Sequence, residues 1–171
     1  MQKTYLCIDL KSFYASVECV ELGLDPFKVN LVVADPTRGG GAITLAATPA
    51  IKKLGVSSRG RIFEIDPKIE YMVAPPRMHL YMEYSCKVYK VFLEFIAKED
   101  IHVYSIDESF LDITSYLKLY QVNAKELAKK ILDRIYEKTG LTATVGIGTN
   151  LYLAKIAMDI SAKHNADRMA Y

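Results

Sequence analysis

The chain has 171 residues, 51% of them apolar and 25% charged, a balance that fits a folded globular protein and excludes a disordered or collagen-like chain. Twenty-two Lys and Arg stand against 20 Asp and Glu, a net charge of +2, so charge alone does not mark a nucleic-acid binder. Cys7, Cys19 and Cys86 are odd in number and far apart. They fit neither a disulfide framework nor a zinc cluster, and a cytoplasmic, reducing setting is expected.

TYLCID (4–9) is a short apolar run with the character of a buried strand. Asp9 and Lys11 break that run, so it does not read as a signal peptide. No apolar segment nears the roughly 20 residues needed to cross a bilayer. SFYASVECVELG (12–23) then spaces its apolar residues as a helix and stops at Gly23. NLVVAD (30–35) reads as a strand, DPTRGGG (35–41) as a turn, and GAITLAA (41–47) as a further strand. TPAIKKLG (48–55) predicts a short helix with Thr48 as cap, Pro49 as first residue and Gly55 as stop.

EYMVAPP (70–76) is a strand closed by two prolines. From 78 to 97, Leu80, Tyr84, Val88, Val91, Phe92 and Phe95 fall on one helical face. IHVYSID and SFLDIT follow as two strands about a tight turn. The segment 123–140 is the clearest helix, with Asn123 and Glu126 spaced as a capping box and Gly140 at its end. TATVGIG (142–148) is a strand, and Asn150 caps the last helix, LYLAKIAMDISAKH.

Without residues 24–76 the order is β-α…α-β-β-α-β-α. That order predicts an α+β, ferredoxin-like split-βαβ domain (1–23 and 77–171): an antiparallel-rich sheet with helices on one face and an extra terminal helix. Residues 24–76 form a small inserted α/β lobe.

This fold makes the acids informative. Asp9 closes the central first strand, and Asp107 and Glu108 end IHVYSI, which is expected to be its neighbour. Three carboxylates meeting at one sheet edge repel unless neutralised. A divalent cation removes the conflict, magnesium being suited to hard oxygen ligands and substrate phosphates. The residues alone leave a second reading open, in which Asp9 is a strand-end acid and Asp107–Glu108 a solvated turn.

CIDLKSFYASVE (7–18) and YSIDESFLDIT (104–114) resemble the two metal-binding motifs of the Y-family, or translesion, DNA polymerases. TATVGIGTNLYLAKIAMDISAK (142–163) is similar to the family's third stretch. LAATPAIKKLG (45–55) is similar to its finger segment, in the UmuC-like variant of Gram-positive bacteria and their mobile elements. The resemblance implies a palm and fingers, without the thumb and little-finger domains into which family members continue.

It also implies roles. Asp9, Asp107 and Glu108 match the ligands of two Mg²⁺ ions, with Leu10 at a backbone-carbonyl ligand. Tyr14 matches the steric gate that excludes a 2′-hydroxyl, and Phe13 falls beside the sugar and triphosphate. Lys155 matches the lysine that reaches the triphosphate, and Ser105 lies near the primer end. Pro49 and Lys52 stand where many members carry a phosphate-binding tyrosine and arginine. Lys52 and the hydroxyl of Thr48 are expected to substitute for them. RGGGAI (38–43) puts tiny residues where the family roofs the nascent base pair, which fits tolerance of distorted templates.

The implied activity is error-prone, template-directed DNA synthesis within the SOS response to damage. Its partners would be primer-template DNA, a deoxynucleoside triphosphate, a sliding clamp and damage-response proteins, with no membrane. The 171-residue piece is expected to be weakly active or inactive alone. Two alternatives stay open: a nucleotidyl cyclase on the same core, and a palm-fingers module that binds without catalysis.

Overall fold

The structure, a computed structural model, describes residues 2–162. The end of the last predicted helix, beyond Ala162, lies outside them. In chain order the strands are β1 Tyr5–Leu10, β2 Leu31–Val33, β3 Ala46–Ala47, β4 Met72–Ala74, β5 Ile101–Val103, β6 Glu108–Asp112 and β7 Ala143–Gly148. The α-helices are α1 Phe13–Glu21, α2 Pro49–Lys52, α3 Met78–Phe95, α4 Thr114–Tyr120, α5 Ala124–Thr139 and α6 Leu151–Ala157. No helix among the described residues is long and apolar enough to cross a membrane.

The described residues divide into two compact units, one of residues 2–10 with 83–162 and one of residues 11–82. By compactness α1 and the first turn of α3 group with residues 24–76, the segment the sequence predicts as the inserted lobe.

The first unit holds a four-stranded sheet in the order β5-β6-β1-β7. Every neighbouring pair is antiparallel. β1 is central, as expected of a split βαβ. The strand beside it is β6, not IHVYSI: β5 pairs with β6 alone and forms an edge. Its exposed His102 and Val103 suit that edge, while β6 is buried almost throughout and needs neighbours on both sides.

Alternation along β1 sends Leu6 and Ile8 to one face and Cys7 and Asp9 to the other. Val88 and Phe92 of α3 lie with Ile8 and Leu10 around a small cavity on the first face. The extra terminal helix covers the second, where Cys7, Phe110, Ala154 and Met158 form a buried cluster. α6 can lie close because β7 offers Gly146 and Gly148 beneath it. A Cβ at Gly146 would collide with the Ala154 carbonyl oxygen and the Met158 nitrogen, and one at Gly148 with the Ala154 nitrogen.

α5 carries its predicted signals. Asn123 Oδ1 accepts from Glu126 N at 2.9 Å, Glu126 Oε2 accepts from Asn123 N at 2.9 Å, and Gly140 adopts φ 72°. Asn123→Ala is expected to cost about 1 kcal/mol and lower Tm by roughly 2–4 °C. A thermal melt that does not move would show that the capping box adds nothing to the stability of α5.

The second unit holds a three-stranded sheet in the order β3-β2-β4, with β2–β3 antiparallel and β2–β4 parallel. α2 follows β3 with Thr48 as its cap and Gly55 at φ 87°. Val32, Ala47, Ile51 and Ile65 form its core. The predicted strand 41–47 shrinks to two residues. Ile43 and Leu45 are exposed, and upstream of β3 the chain makes an isolated bridge between Ile43 and Arg61, with Thr44 N donating to the Gly60 carbonyl and Leu45 N to the Val33 carbonyl, each at 2.8 Å.

Candidate active site

In the first unit Asp9 lies opposite Glu108 in the β1–β6 register. Antiparallel partners stand about 4.5–5.5 Å apart with side chains on one face, so these two acids share an end of the sheet. The turn that delivers Asp107 is tied to the same end, since Leu10 N donates to the Asp107 carbonyl at 2.9 Å. Leu10 itself is buried, so only its main chain is available for polar work.

The side chains are engaged as follows. Glu108 is buried; its Oε1 accepts from Lys155 Nζ at 2.5 Å and from the Cys7 thiol at 3.4 Å. Asp107 Oδ1 accepts from the Ser105 hydroxyl at 2.9 Å. Among the described residues no three acid, thiol or imidazole groups stand close enough to hold an ion as placed. The backbone brings the segments of Asp9, Asp107 and Glu108 to one end of the sheet, where Glu108 holds the Lys155 ammonium and Asp107 the Ser105 hydroxyl.

Lys155 lies on α6, capped by Asn150, whose Oδ1 accepts from Leu153 N at 2.8 Å. Its Nζ also stands 3.5 Å from Asp159 and 5.7 Å from the centre of the Tyr104 ring. Partial burial pulls this ammonium down, yet the hydrogen bond and charge of Glu108 outweigh it, with Asp159 helping, and its pKa is raised. Burial, and then the Glu108 hydrogen bond and charge, push the Cys7 thiol far above its ordinary range, so it remains a donor. Cys7 was not singled out in the sequence. Its signal was its place two residues before Asp9, on the same strand face.

In the second unit Tyr14, the second residue of α1, is half-buried and stacks on Tyr81, with ring centres 4.4 Å apart and planes at 15°. Phe13 is buried and meets Tyr81 edge-on at 6.4 Å. Lys52 is exposed, and its Nζ donates to Ser12 Oγ at 3.0 Å. Thr48 is different from its expectation. It is fully buried, donates to the Val29 carbonyl at 2.7 Å, and accepts from Leu31 N and Ile51 N. Its hydroxyl is committed to the fold and is not free for a phosphate.

Sequence reasoning missed Tyr81, which is fully buried, and the Glu18 carboxylate that holds its hydroxyl at 2.7 Å. The apolar face of α3 was traced through Leu80, although Tyr81 sits one turn before Tyr84 on that face.

A model of the impB/mucB/samB family matches residues 8–159. The chain belongs to the impB/mucB/samB family. Among its family relatives, UvrX of Bacillus subtilis (strain 168), named for UV-damage repair, is 40% identical over 99% of this chain and 39% of its own length. The protein named DNA polymerase IV 2 of the same strain is 40% identical over 96% of this chain and 39% of its own. A solved Y-family DNA polymerase chimera of Dbh and Dpo4 superposes with a TM-score of 0.79 at 28% identity, covering 97% of this chain and 47% of that one. This impB/mucB/samB chain therefore spans less than half the length of these relatives.

Proposed function

We propose that the chain is the catalytic part of an error-prone translesion DNA polymerase of the UmuC-like type, adding deoxynucleotides to a primer 3′ end. The observation that carries this reading is that the β1–β6 register and the Leu10–Asp107 main-chain bond bring the backbone of Asp9, Asp107 and Glu108 to one end of a split-βαβ sheet, in a member of the impB/mucB/samB family. Relatives named as DNA polymerases support it. Residues 1–23 and 77–171 are read as palm, and 24–76 as fingers.

The donor set fits a hard divalent cation, with two carboxylates in register, a third on the adjoining turn and a main-chain carbonyl at Leu10. Asp9 and Asp107 would bridge two Mg²⁺ ions, and Glu108 would hold the one nearer the attacking oxygen. When bound, such a pair activates the primer 3′-oxygen and stabilises the leaving pyrophosphate. Lys155 exchanges Glu108 for the triphosphate, freeing the carboxylate as it neutralises the substrate. Lys52 adds charge from the fingers. Ser105, hydrogen-bonded to Asp107, serves the primer end. Thr48 holds no phosphate.

Tyr14 gates the sugar, with Phe13 packed behind it. Gly39, Gly40 and Gly41 offer no side chains in the segment read as the roof over the base pair, a Cβ at Gly40 alone meeting a neighbour, Phe63, at 3.5 Å, and this lack of bulk supports tolerance of a distorted template. By the family resemblance, the setting is the cytoplasm and the SOS response, with a sliding clamp and damage-response proteins as further partners.

Primer extension by the intact protein tests the reading. Tyr14→Ala is expected to lower the preference for deoxynucleotides over ribonucleotides by on the order of 100-fold, because a designed clash is removed. Extension that is absent from the wild type, or a cyclic nucleotide as product, would overturn the reading.

A further inference from the structure

Tyr14 does not stand alone on its helix. Glu18, one turn on, is buried and lies on the same side of α1. Its carboxylate accepts from Arg77 Nε at 3.1 Å and Nη2 at 2.6 Å, a two-pronged pair, and from the Tyr81 hydroxyl at 2.7 Å. Arg77 and Tyr81 are themselves one turn apart, joined by the Tyr81 N to Arg77 carbonyl bond of 3.1 Å. The result is a square. Tyr14 and Glu18 come from α1, Arg77 immediately precedes α3 and Tyr81 lies in its first turn, and both rungs between them are filled, one by stacking and one by charge.

A buried carboxylate is costly unless fully partnered, so Glu18 fixes where the Tyr81 hydroxyl must go. Burial, then the Glu18 hydrogen bond, push that phenol far above its ordinary range, so it stays a donor. Tyr81 is fully buried and held at its tip, with Phe13 against its edge. Its flat face is thus a fixed platform, and Tyr14 rests on it nearly parallel. An unsupported tyrosine in the first turn of a helix has other rotamers open to it; this platform selects one.

We propose that Glu18, Arg77 and Tyr81 form a brace that fixes the Tyr14 ring and so sets how strictly the protein selects the sugar of its nucleotide. The inference rests on the reading of Tyr14 as the gate. Glu18, Arg77 and Tyr81 are positioning residues, and act on the sugar only through Tyr14.

The test is the ratio of kcat/KM for dCTP over CTP in primer extension by the intact protein. It compares the wild type with Tyr14→Ala, Tyr81→Leu, Tyr81→Phe, Glu18→Gln and the double variant Tyr14→Ala/Tyr81→Leu. Tyr81→Leu is expected to lower the ratio by roughly three- to tenfold, the worth of an aromatic pair. Tyr81→Phe keeps the platform and loses only its tether, so its loss is smaller, about twofold, and Glu18→Gln follows it. The double variant is expected to match Tyr14→Ala alone, because nothing is left for the brace to hold.

A purely structural role would shift melting temperature and both rates together and leave the ratio alone. A ratio unchanged by Tyr81→Leu while Tyr14→Ala relaxes it overturns the brace and leaves the gate standing, as does an additive double variant. A ratio unchanged by Tyr14→Ala removes the gate itself. If Tyr81→Leu does not fold, Tyr81→Phe and Glu18→Gln decide by the same ratio.

Discussion

Asp107→Ala in the intact protein is expected to abolish detectable primer extension, lowering kcat by on the order of 10²–10³-fold, the scale seen when one preorganised charge-stabilising group is lost. Asp107 sits in the turn between β5 and β6, and its carbonyl is tied to Leu10 N. That backbone bond survives the substitution. The side chain contributes a hydrogen bond from Ser105 at 2.9 Å, so the variant should fold with a melting temperature close to the wild type. Chemistry and stability therefore separate cleanly at this position. Activity within a few-fold of wild type would show that the carboxylate does not hold the reacting groups.

The largest expected effect on stability comes from Gly146→Ala. The new methyl would strike the Ala154 carbonyl oxygen and the Met158 nitrogen, and come within 2.8 Å of the Met158 Cβ. Two of these are helix backbone and cannot swing aside, so α6 must lift from β7. Overpacking of a closed core costs roughly 1–3 kcal/mol and sometimes more, and a backbone collision belongs at the upper end. Tm should fall by about 6–12 °C for about 3 kcal/mol in a chain of this size. Because Lys155 rides on α6, its grip on Glu108 should loosen too. Gly41→Ala is the control: nothing lies within 4 Å of its Cβ and its φ is not positive, so its effect should stay within about 0.5 kcal/mol. Equal melts for the two variants would show that the glycine at 146 is not there for close packing.

Much of the fold was legible where local chemistry is strong. The cap and first proline of α2, and the reciprocal Asn123–Glu126 box of α5, specify helix ends without help from distant residues, whereas α2 stops at Lys52, short of the glycine at 55. Signals that depend on tertiary context were weaker. The seven-residue α4 was passed over because its N-terminus has no side-chain cap and its end is Gln121 in a left-handed conformation, with no glycine to announce it. The apolar alternation of 41–47 suggested a longer strand than the sheet contains, because hydrophobicity does not tell a paired Ala47 from an exposed Leu45.

The candidate site divides in the same way. The two acidic segments were visible as sequence, and the β1–β6 register brings Asp9 and Glu108 face to face. What each carboxylate touches was not visible. The thiol of Cys7 and the ammonium of Lys155 reach Glu108 from 101 and 47 positions away in the chain. The bond between Glu18 and Tyr81 spans 63 residues. Thr48 looked available for phosphate because capping by its side chain could be inferred, whereas its further bonds to Val29 and Leu31 could not.

The most direct test of the central claim is a crystal of the protein soaked with Mn²⁺ and a deoxynucleoside triphosphate, with anomalous scattering used to find the metal. Manganese is expected to be bound jointly by the carboxylates of Asp9, Asp107 and Glu108, with Lys155 released from Glu108 onto the triphosphate. Manganese found only elsewhere, with Glu108 still held by Lys155 and Cys7, would contradict the claim.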